Sequence, residues 1–401
     1  MYIKARILTF VDISRFANSP VGYLVDFKGT DPRSGDAYVH KAFVPEPLPD
    51  QVDLKRSTVN AIADAMHGLG RLDQALRWIA NPMVFIRPAI RREAVNTSAL
   101  EGTFAAFEDI MGVDMLDHAP VSASVAEVMN FVEAAEEATA WAKERPITRI
   151  VVCELQRVLV RGTQGDGPEA GQIRSTPVLI GPKGCTVEQA RFVPPPPGDA
   201  LIAGFADWEA WIERHDDIPL LARVAIGHYQ FETLHPVTDG NGRIGRLLSV
   251  LQLMRAGVIQ HPMLNISPWF YAHRDEYVDH LLNVSVSGSY DPWVQFFCQA
   301  IAAESGSAVD RIERAQHWRD SLIAKVREKH IKAAAVHQLA NGMIGHPVVS
   351  PRWVQQCYGV SYPTANSAIQ RLVDLQALRE MTGRNYGRLF ASTELLAIFN
   401  G

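Results

Sequence analysis

The sequence predicts a mainly α-helical protein with a β-hairpin inserted between its helices and a small helix–strand module at its end. Three observations predict it. Apolar residues recur at helical spacing across much of positions 52–301; a proline- and glycine-rich stretch at 178–197 breaks that period; and the segment after residue 306 differs in charge and element order from what precedes it. With 401 residues, 47% hydrophobic and 21% charged, the chain can fill more than one hydrophobic core. The composition excludes a disordered, collagen-like or low-complexity chain.

Near the start, Tyr2, Ile3, Ala5 and Ile7, then Val21, Tyr23 and Val25, alternate with polar residues, and a turn-rich stretch follows from Gly29 to Gly35. A short β element is expected there. Proline-punctuated Phe43–Pro49 leads into helical patterning from Val52 to about Ile79. Further apolar helical faces run through Val125, Val128, Val132 and Ala135, through Ile147, Val151, Leu155 and Val158, through Leu220, Val224, Phe231 and Leu234, and through Leu247, Leu248 and Leu251. Between them, Val178-Leu179-Ile180, the turn Gly181–Gly184, and Arg191-Phe192-Val193 before four prolines predict the hairpin. A charged helix is expected from Asp310 to Lys332, and the last seventy residues read as helix, turn, helix, then two short extended segments.

The net charge of −5 conceals a division. Residues 306–401 hold 12 basic and 7 acidic side chains, whereas the rest hold 27 and 37. That step marks an expected domain boundary near 306. Charges or prolines interrupt every apolar run, so no membrane span is expected, and the N-terminus lacks the apolar core of a signal peptide. Cys153, Cys185, Cys298 and Cys357 are too scattered for metal-ligand spacing and read as thiols of a cytoplasmic protein.

The chemistry is concentrated in His235-Pro-Val-Thr-Asp239-Gly240-Asn241-Gly242-Arg243-Ile-Gly245-Arg246. Gly240, Gly242 and Gly245 satisfy the dinucleotide fingerprint, but the preceding segment is helical and position 265 is Asn where an acid is needed, so that reading is rejected. What remains is a Gly-rich turn opening a helix, an arrangement that aims backbone N–H groups at an anion. Arg243 and Arg246 lie three apart and add positive charge suited to phosphate. Asp239 beside a polyphosphate suits Mg²⁺, and His235 at the turn can accept a proton from a nucleophile. Singly, each piece is commonplace. At roughly one in twenty per site, seven specified positions together are not.

This stretch resembles the signature of Fic-domain proteins, H-P-F-x-D/E-G-N-G-R-x-x-R, and departs from it only at Val237, where Phe is usual. The resemblance extends over about Lys41–Ile301, including Lys41–Pro49 and Arg274-Asp275-Glu276-Tyr277. It implies a protein adenylyltransferase that moves AMP from ATP to a Ser, Thr or Tyr hydroxyl. His235 would be the general base and Asp239 the Mg²⁺ ligand. Gly240, Asn241, Gly242, Arg243 and Gly245 would surround the phosphates, and Arg246 would hold the γ-phosphate. The 178–197 hairpin would be the flap over nucleotide and target, with Ile180 and Gly181 in it and Tyr277 near the adenine. Thr97, Glu101 and Gly102 fit the family's inhibitory pattern S/T-x-x-x-E-G/N, whose Glu pairs with the second signature arginine, here Arg246.

The implied domains are an extension at 1–40, a helical region with the inhibitory helix at 41–120, a Fic catalytic domain at 121–305, and a linker helix with a winged helix-turn-helix at 306–401. Arg371, Arg379, Arg384 and Arg388 lie around the last module, whose expected partners are DNA, a protein or a second copy of the chain. The alternative reading is a DNA-binding regulator with a Fic core of altered or vestigial activity, such as phosphate transfer or AMP removal.

Overall fold

The helical spacing is realised as fifteen α-helices among the described residues of the computed structural model, which are 13–30, 35–116, 120–182, 184–383 and 387–401. Strands β1 (Gly22–Thr30) and β2 (Ala37–Pro45) come first, followed by α1 (Arg56–Arg77), α2 (Met83–Leu100), α3 (Phe107–Gly112) and α4 (Ala123–Trp141). Next are α5 (Arg149–Val160), α6 (Asp199–Ile212), α7 (Leu220–Leu234), α8 (Asn241–Arg255), α9 (Ser267–Ala272), α10 (Arg274–Ser287) and the long α11 (Asp291–Glu328). The chain ends with α12 (Ala334–Gly342), β3 (Val348–Val349), α13 (Pro351–Tyr358), α14 (Tyr362–Asp374), β4 (Arg379–Glu380), β5 (Phe390–Ala391) and α15 (Thr393–Asn400). No helix among the described residues is long and apolar enough to cross a membrane.

These elements form two compact units, each discontinuous in sequence. The first comprises Met1–Ile62, Arg145–Ser249 and His273–Cys298. Its centre is α7, which is buried on nearly every face, the polar side chains of Arg223, His228, Gln230 and Thr233 included. Indole N–H groups satisfy backbone at its flanks: Trp208 Nε1 donates to Gly227 O (2.8 Å) and Trp293 Nε1 to Ala225 O (2.6 Å). The start of helix α1 is held from afar by Asp291. Its Oδ1 accepts from Lys55 N and from Thr58 Oγ1, both at 2.7 Å.

The expected β element is the antiparallel pair β1–β2, in register from Gly22↔Pro45 to Thr30↔Ala37. Positions 2–7 of the expected alternation and residues 31–34 of its turn lie outside the described residues. The pair supports the 178–197 segment, since Phe43 N donates to Val193 O (2.9 Å) and Phe16, Phe43 and Phe192 pack with ring centroids 5.5–5.8 Å apart. The segment itself returns on itself as expected, but with a single bridge, Ile180↔Phe192, in place of a strand ladder. Pro182 and Pro194–Pro197 carry no N–H for a ladder, and a 3-10 turn at Val187–Gln189, closed by a Thr186/Gln189 capping box, fills the tip. Lys183 lies outside the described residues.

The second unit comprises Ala63–Glu144, Val250–Ala272 and Gln299–Gly401. At its middle, α2 carries four charges, of which Arg91, Arg92 and Glu93 are buried, and all four are tied to other elements. Arg87 and Arg91 share Asp114, Arg92 Nη1 meets Glu304 Oε2 of α11 at 3.1 Å, and Glu93 accepts from the Ser267 hydroxyl and N–H that open α9. Arg87 Nη1 also donates to His346 Nδ1 (2.6 Å). Burial, reinforced by the charges of Arg87 and Arg91, pushes that imidazole down to about 3, so it stays a neutral acceptor.

At the end of the chain the expected helices and two short strands occur, joined by a further strand, β3, before α13 and a last helix, α15, that the sequence pattern did not suggest. Ser350 caps α13 and Ser361 caps α14 through their hydroxyls, Gly359 ends α13 at φ +63°, and the short strands pair in the order β3-β5-β4. Arg384, between β4 and β5, lies outside the described residues. Helix α11 runs without a break through residue 306, so the charge step falls inside a helix and not in a linker.

Phe43→Ala removes the ring on which Phe16 and Phe192 pack. It is expected to lower unfolding stability by about 3–5 kcal/mol in urea titrations.

Candidate active site

Helix α7 ends at Leu234, and His235 turns the chain by adopting the left-handed conformation, φ 48° and ψ 59°, while its N–H still bonds Phe231 O at 2.9 Å. This conformation is uncommon and costly for a residue with a Cβ, so neighbouring groups must hold it. The imidazole is held as well: Nδ1 lies 3.3 Å from Glu232 O. A carbonyl can only accept, so Nδ1 carries the proton and Nε2 is the basic nitrogen.

After Pro236 the loop is organised by its own signature. Asn241 Nδ2 donates to Val237 O (2.7 Å) and Val237 N donates to Asn241 Oδ1 (3.0 Å), so this side chain holds the turn's backbone. Val237 is fully buried, filling the place where the family pattern has Phe. Gly240 has φ +88°, and an added Cβ there would lie 2.5 Å from Leu159 Cδ2, so both conformation and space demand glycine. Ile244 N makes the first helical bond, to Gly240 O (2.9 Å), leaving the N–H groups of Asn241, Gly242 and Arg243 ahead of the ladder at the positive end of α8. A helix start of this kind can accept an anion.

The charged groups stand around it. Arg243 and Arg246 are both buried, and Arg243 Nη2 approaches Asp239 Oδ1 at 3.3 Å. Asp239 keeps 45% of its side chain exposed, as a single carboxylate serving a cation that phosphate and water otherwise ligate would need to. Among the described residues no group of three His, Cys, Asp or Glu could cage a metal unaided. The donor set therefore fits a metal that arrives with phosphates.

Gly245 lets α8 approach α7. A Cβ there would sit 2.8 Å from Glu232 Oε1 and 3.1 Å from Phe231 Cδ1. Beneath this contact His228 is buried, with Nε2 2.8 Å from the Tyr277 hydroxyl and Nδ1 3.4 Å from Ser249 Oγ. Burial lowers its pKa to about 3, so it is a neutral hydrogen-bonding strut. Tyr277 is itself buried, its hydroxyl engaged with His228. Ile180 makes the flap bridge, and Gly181 packs at the flap turn, where a Cβ would meet Cys185 Sγ at 3.0 Å.

The sequence pattern Thr97–Gly102 is a helix C-terminus in the second unit. Thr97 is buried in α2, Glu101 is the C-cap residue, and Gly102 follows at φ +91° with its N–H on Ala99 O at 3.0 Å. A carboxylate at the negative end of a helix disfavours that helix by a few tenths to about 1 kcal/mol, so helix stability does not explain Glu101.

Two side chains that sequence reasoning passed over also hold the turn. Gln156 Nε2 reaches Asp239 O (3.4 Å) and its Oε1 accepts from Gly171 N, while Arg174 donates to the carbonyls of Leu234 and His235. Both bind backbone oxygens, which leave no imprint on residue spacing.

Residues 59–140 match the model of the Fic/DOC family N-terminal region and residues 146–253 that of the Fic/DOC family itself. Over these two stretches the chain carries the Fic/DOC N-terminal region and the Fic/DOC domain. The protein adenylyltransferase Fic of Culex quinquefasciatus is 28% identical over 254 residues, 62% of this chain and 46% of that one. The protein of the same name from Drosophila grimshawi is 29% identical over 251 residues, 61% of this chain and 45% of its own. The chain thus spans less than half the length of these relatives. A Fic family protein from Desulfovibrio desulfuricans G20 superposes with a TM-score of 0.55 at 21% identity, covering 86% of this chain and 98% of that one. The fold of that chain is thus shared over most of this one.

Gly240→Ala forces a Cβ into Leu159 at positive φ, and a loss of about 2 kcal/mol or more is expected in urea unfolding. His228 provides a second test. Its folded pKa lies below the unfolded value, so its contribution is complete above about pH 6.5 and is lost as pH falls toward 3. The loss should approach about 1.4 kcal/mol per pH unit, and His228→Gln should flatten the acid limb of a stability–pH curve by that slope.

Proposed function

We propose that this Fic protein transfers AMP from ATP to a hydroxyl of a protein, itself included. The observation that carries the reading is the pairing of a basic His235 Nε2, set by the Nδ1 bond to Glu232 O, with the anion-binding N-terminus of α8 a few residues on. The α-phosphate sits at the N–H groups of Asn241, Gly242 and Arg243. The target oxygen attacks the α-phosphorus and its proton passes to His235 Nε2. The bond to the β-phosphate oxygen breaks, and pyrophosphate leaves. Arg243 and Arg246 offset the charge of the departing phosphates. Mg²⁺, held by Asp239 with the nucleotide, would supply further charge neutralisation.

In the same reading the flap, with Ile180 and Gly181, covers the nucleotide and docks the target segment, and Tyr277 supports the adenine side through His228. Glu101 acts as the inhibitory carboxylate of the family pattern and keeps ATP from binding in the productive orientation, which gives the unfavourably placed C-cap carboxylate a purpose. The α12–α14 and β3–β5 module is assigned as a winged helix-turn-helix. Its exposed α14 face, Tyr362, Thr364, Ser367, Gln370 and Arg371, suits duplex DNA or a protein surface. The four free thiols suit a cytoplasmic protein.

Intact-mass spectrometry after incubation with ATP and Mg²⁺ tests the reading. Glu101→Gly should raise AMP incorporation at least about tenfold, the equivalent of removing one charged hydrogen bond. Adding His235→Ala should cut it by roughly 10²–10⁴. A gain matching phosphate would indicate phosphoryl transfer instead, and equal labelling of wild type and Glu101→Gly would exclude inhibition by Glu101.

A further inference from the structure

The catalytic turn and the flap are separate stretches of sequence, yet one buried side chain touches both. Arg174 Nε donates to His235 O at 2.8 Å and Nη2 reaches Leu234 O at 3.3 Å. Nη1 donates to Thr176 O at 3.2 Å, where the chain enters the flap, and Nη2 also donates to Pro195 O, where it leaves. The Arg174 backbone N–H meets Pro236 O at 3.0 Å. We propose that Arg174 is a positioning residue that couples the two roots of the flap to the left-handed turn carrying His235.

Three features support this role over simple packing. First, Arg174 is only 2% exposed, and its bonded acceptors are all backbone carbonyls. Burying a cation among carbonyls is costly, and an apolar side chain of similar volume would fill the space more cheaply. The planar five-donor fork is suited to what is present here, several carbonyls converging from two directions. Burial lowers its pKa only to about 10, so the charge persists at neutral pH.

Second, the carbonyls chosen are those flanking the strained residue. Leu234 O, His235 O and Pro236 O are all bound from the 174 position, and no other residue between α7 and α8 has positive φ with a Cβ. A residue held in that region needs its surroundings to over-determine it. Third, the same short segment is anchored at the other end of the turn. Gly171 N donates to Gln156 Oε1 while Gln156 Nε2 reaches Asp239 O. Residues 171–176 therefore connect to the turn at both its histidine and aspartate ends. A target segment that orders the flap would act on the His235 backbone through Arg174, and an error of about 1 Å there costs roughly a hundredfold in rate.

The kinetic half of this proposal rests on the transfer reading, and the structural half does not. Hydrogen exchange followed by mass spectrometry on the full chain, without ATP, compares wild type with Arg174→Lys and Arg174→Gln. The expected result is faster exchange in 178–193 and 234–241 together, by about tenfold or more in Arg174→Gln and less in Arg174→Lys, with α6 and α10 unchanged. In a Glu101→Gly background, Arg174→Gln should lower kcat at least tenfold with KM for ATP within twofold, and Arg174→Lys should restore part of it. Acceleration in only one of the two segments, no acceleration, or acceleration across the whole chain would overturn the coupling, as would a raised KM for ATP with kcat intact. If Glu101→Gly itself transfers no AMP, the transfer reading fails and the exchange result still decides the coupling.

Discussion

Everything at the active site depends on the left-handed turn at His235. Helix α7 is buried on nearly every side and must stop where its last carbonyls can still be paired. The turn at His235 lets the chain leave that buried axis within one residue and return, five residues later, as the N-terminus of α8. Had the helix continued, the N–H groups of α8 would be spent on carbonyls and no anion site would exist. The same turn places the imidazole against Glu232 O and so selects the tautomer. The strained turn, the start of α8 and the imidazole tautomer are therefore one feature of the backbone.

The signature residues divide into those that hold the turn and those whose charges stand beside it. Asn241 holds Val237 from both sides, Gly240 passes close to Leu159, and Gly245 lets α8 approach α7. Arg243, Arg246 and Asp239 are the groups left to act on charge. Arg174 and Gln156 complete the support from outside the motif. An arrangement of this kind fixes donors before the reaction starts, which is where most electrostatic stabilisation of a transition state originates.

In the second unit the corresponding device is a helix held by charge. Arg87 and Arg91 of α2 share Asp114, Arg92 pairs with Glu304, Glu93 holds Ser267, and Arg87 also meets His346 at the approach to β3. Buried charges paired in this way lock register more than they add stability. The helix that ends in Glu101 and Gly102 is thus fixed along its length by partners from α3 to the C-terminal module.

The sequence alone determined the helical class, the 235–246 motif, the helices of the last seventy residues up to α14 and the β element at the start. Each of those signals is local: apolar period, caps and turn residues act over a few positions, and the motif's twelve residues are neighbours along the chain. Tertiary structure decided the rest. The flap keeps one bridge because prolines remove its donors and Phe43 takes the carbonyl of Val193. The charge step at 306 falls within α11, since composition does not report where a helix breaks. Arg174 lies 61 positions from His235 and Gln156 lies 83 from Asp239, and both act on backbone carbonyls. A carbonyl is the same at every residue, so only the folded chain could show which ones these side chains hold.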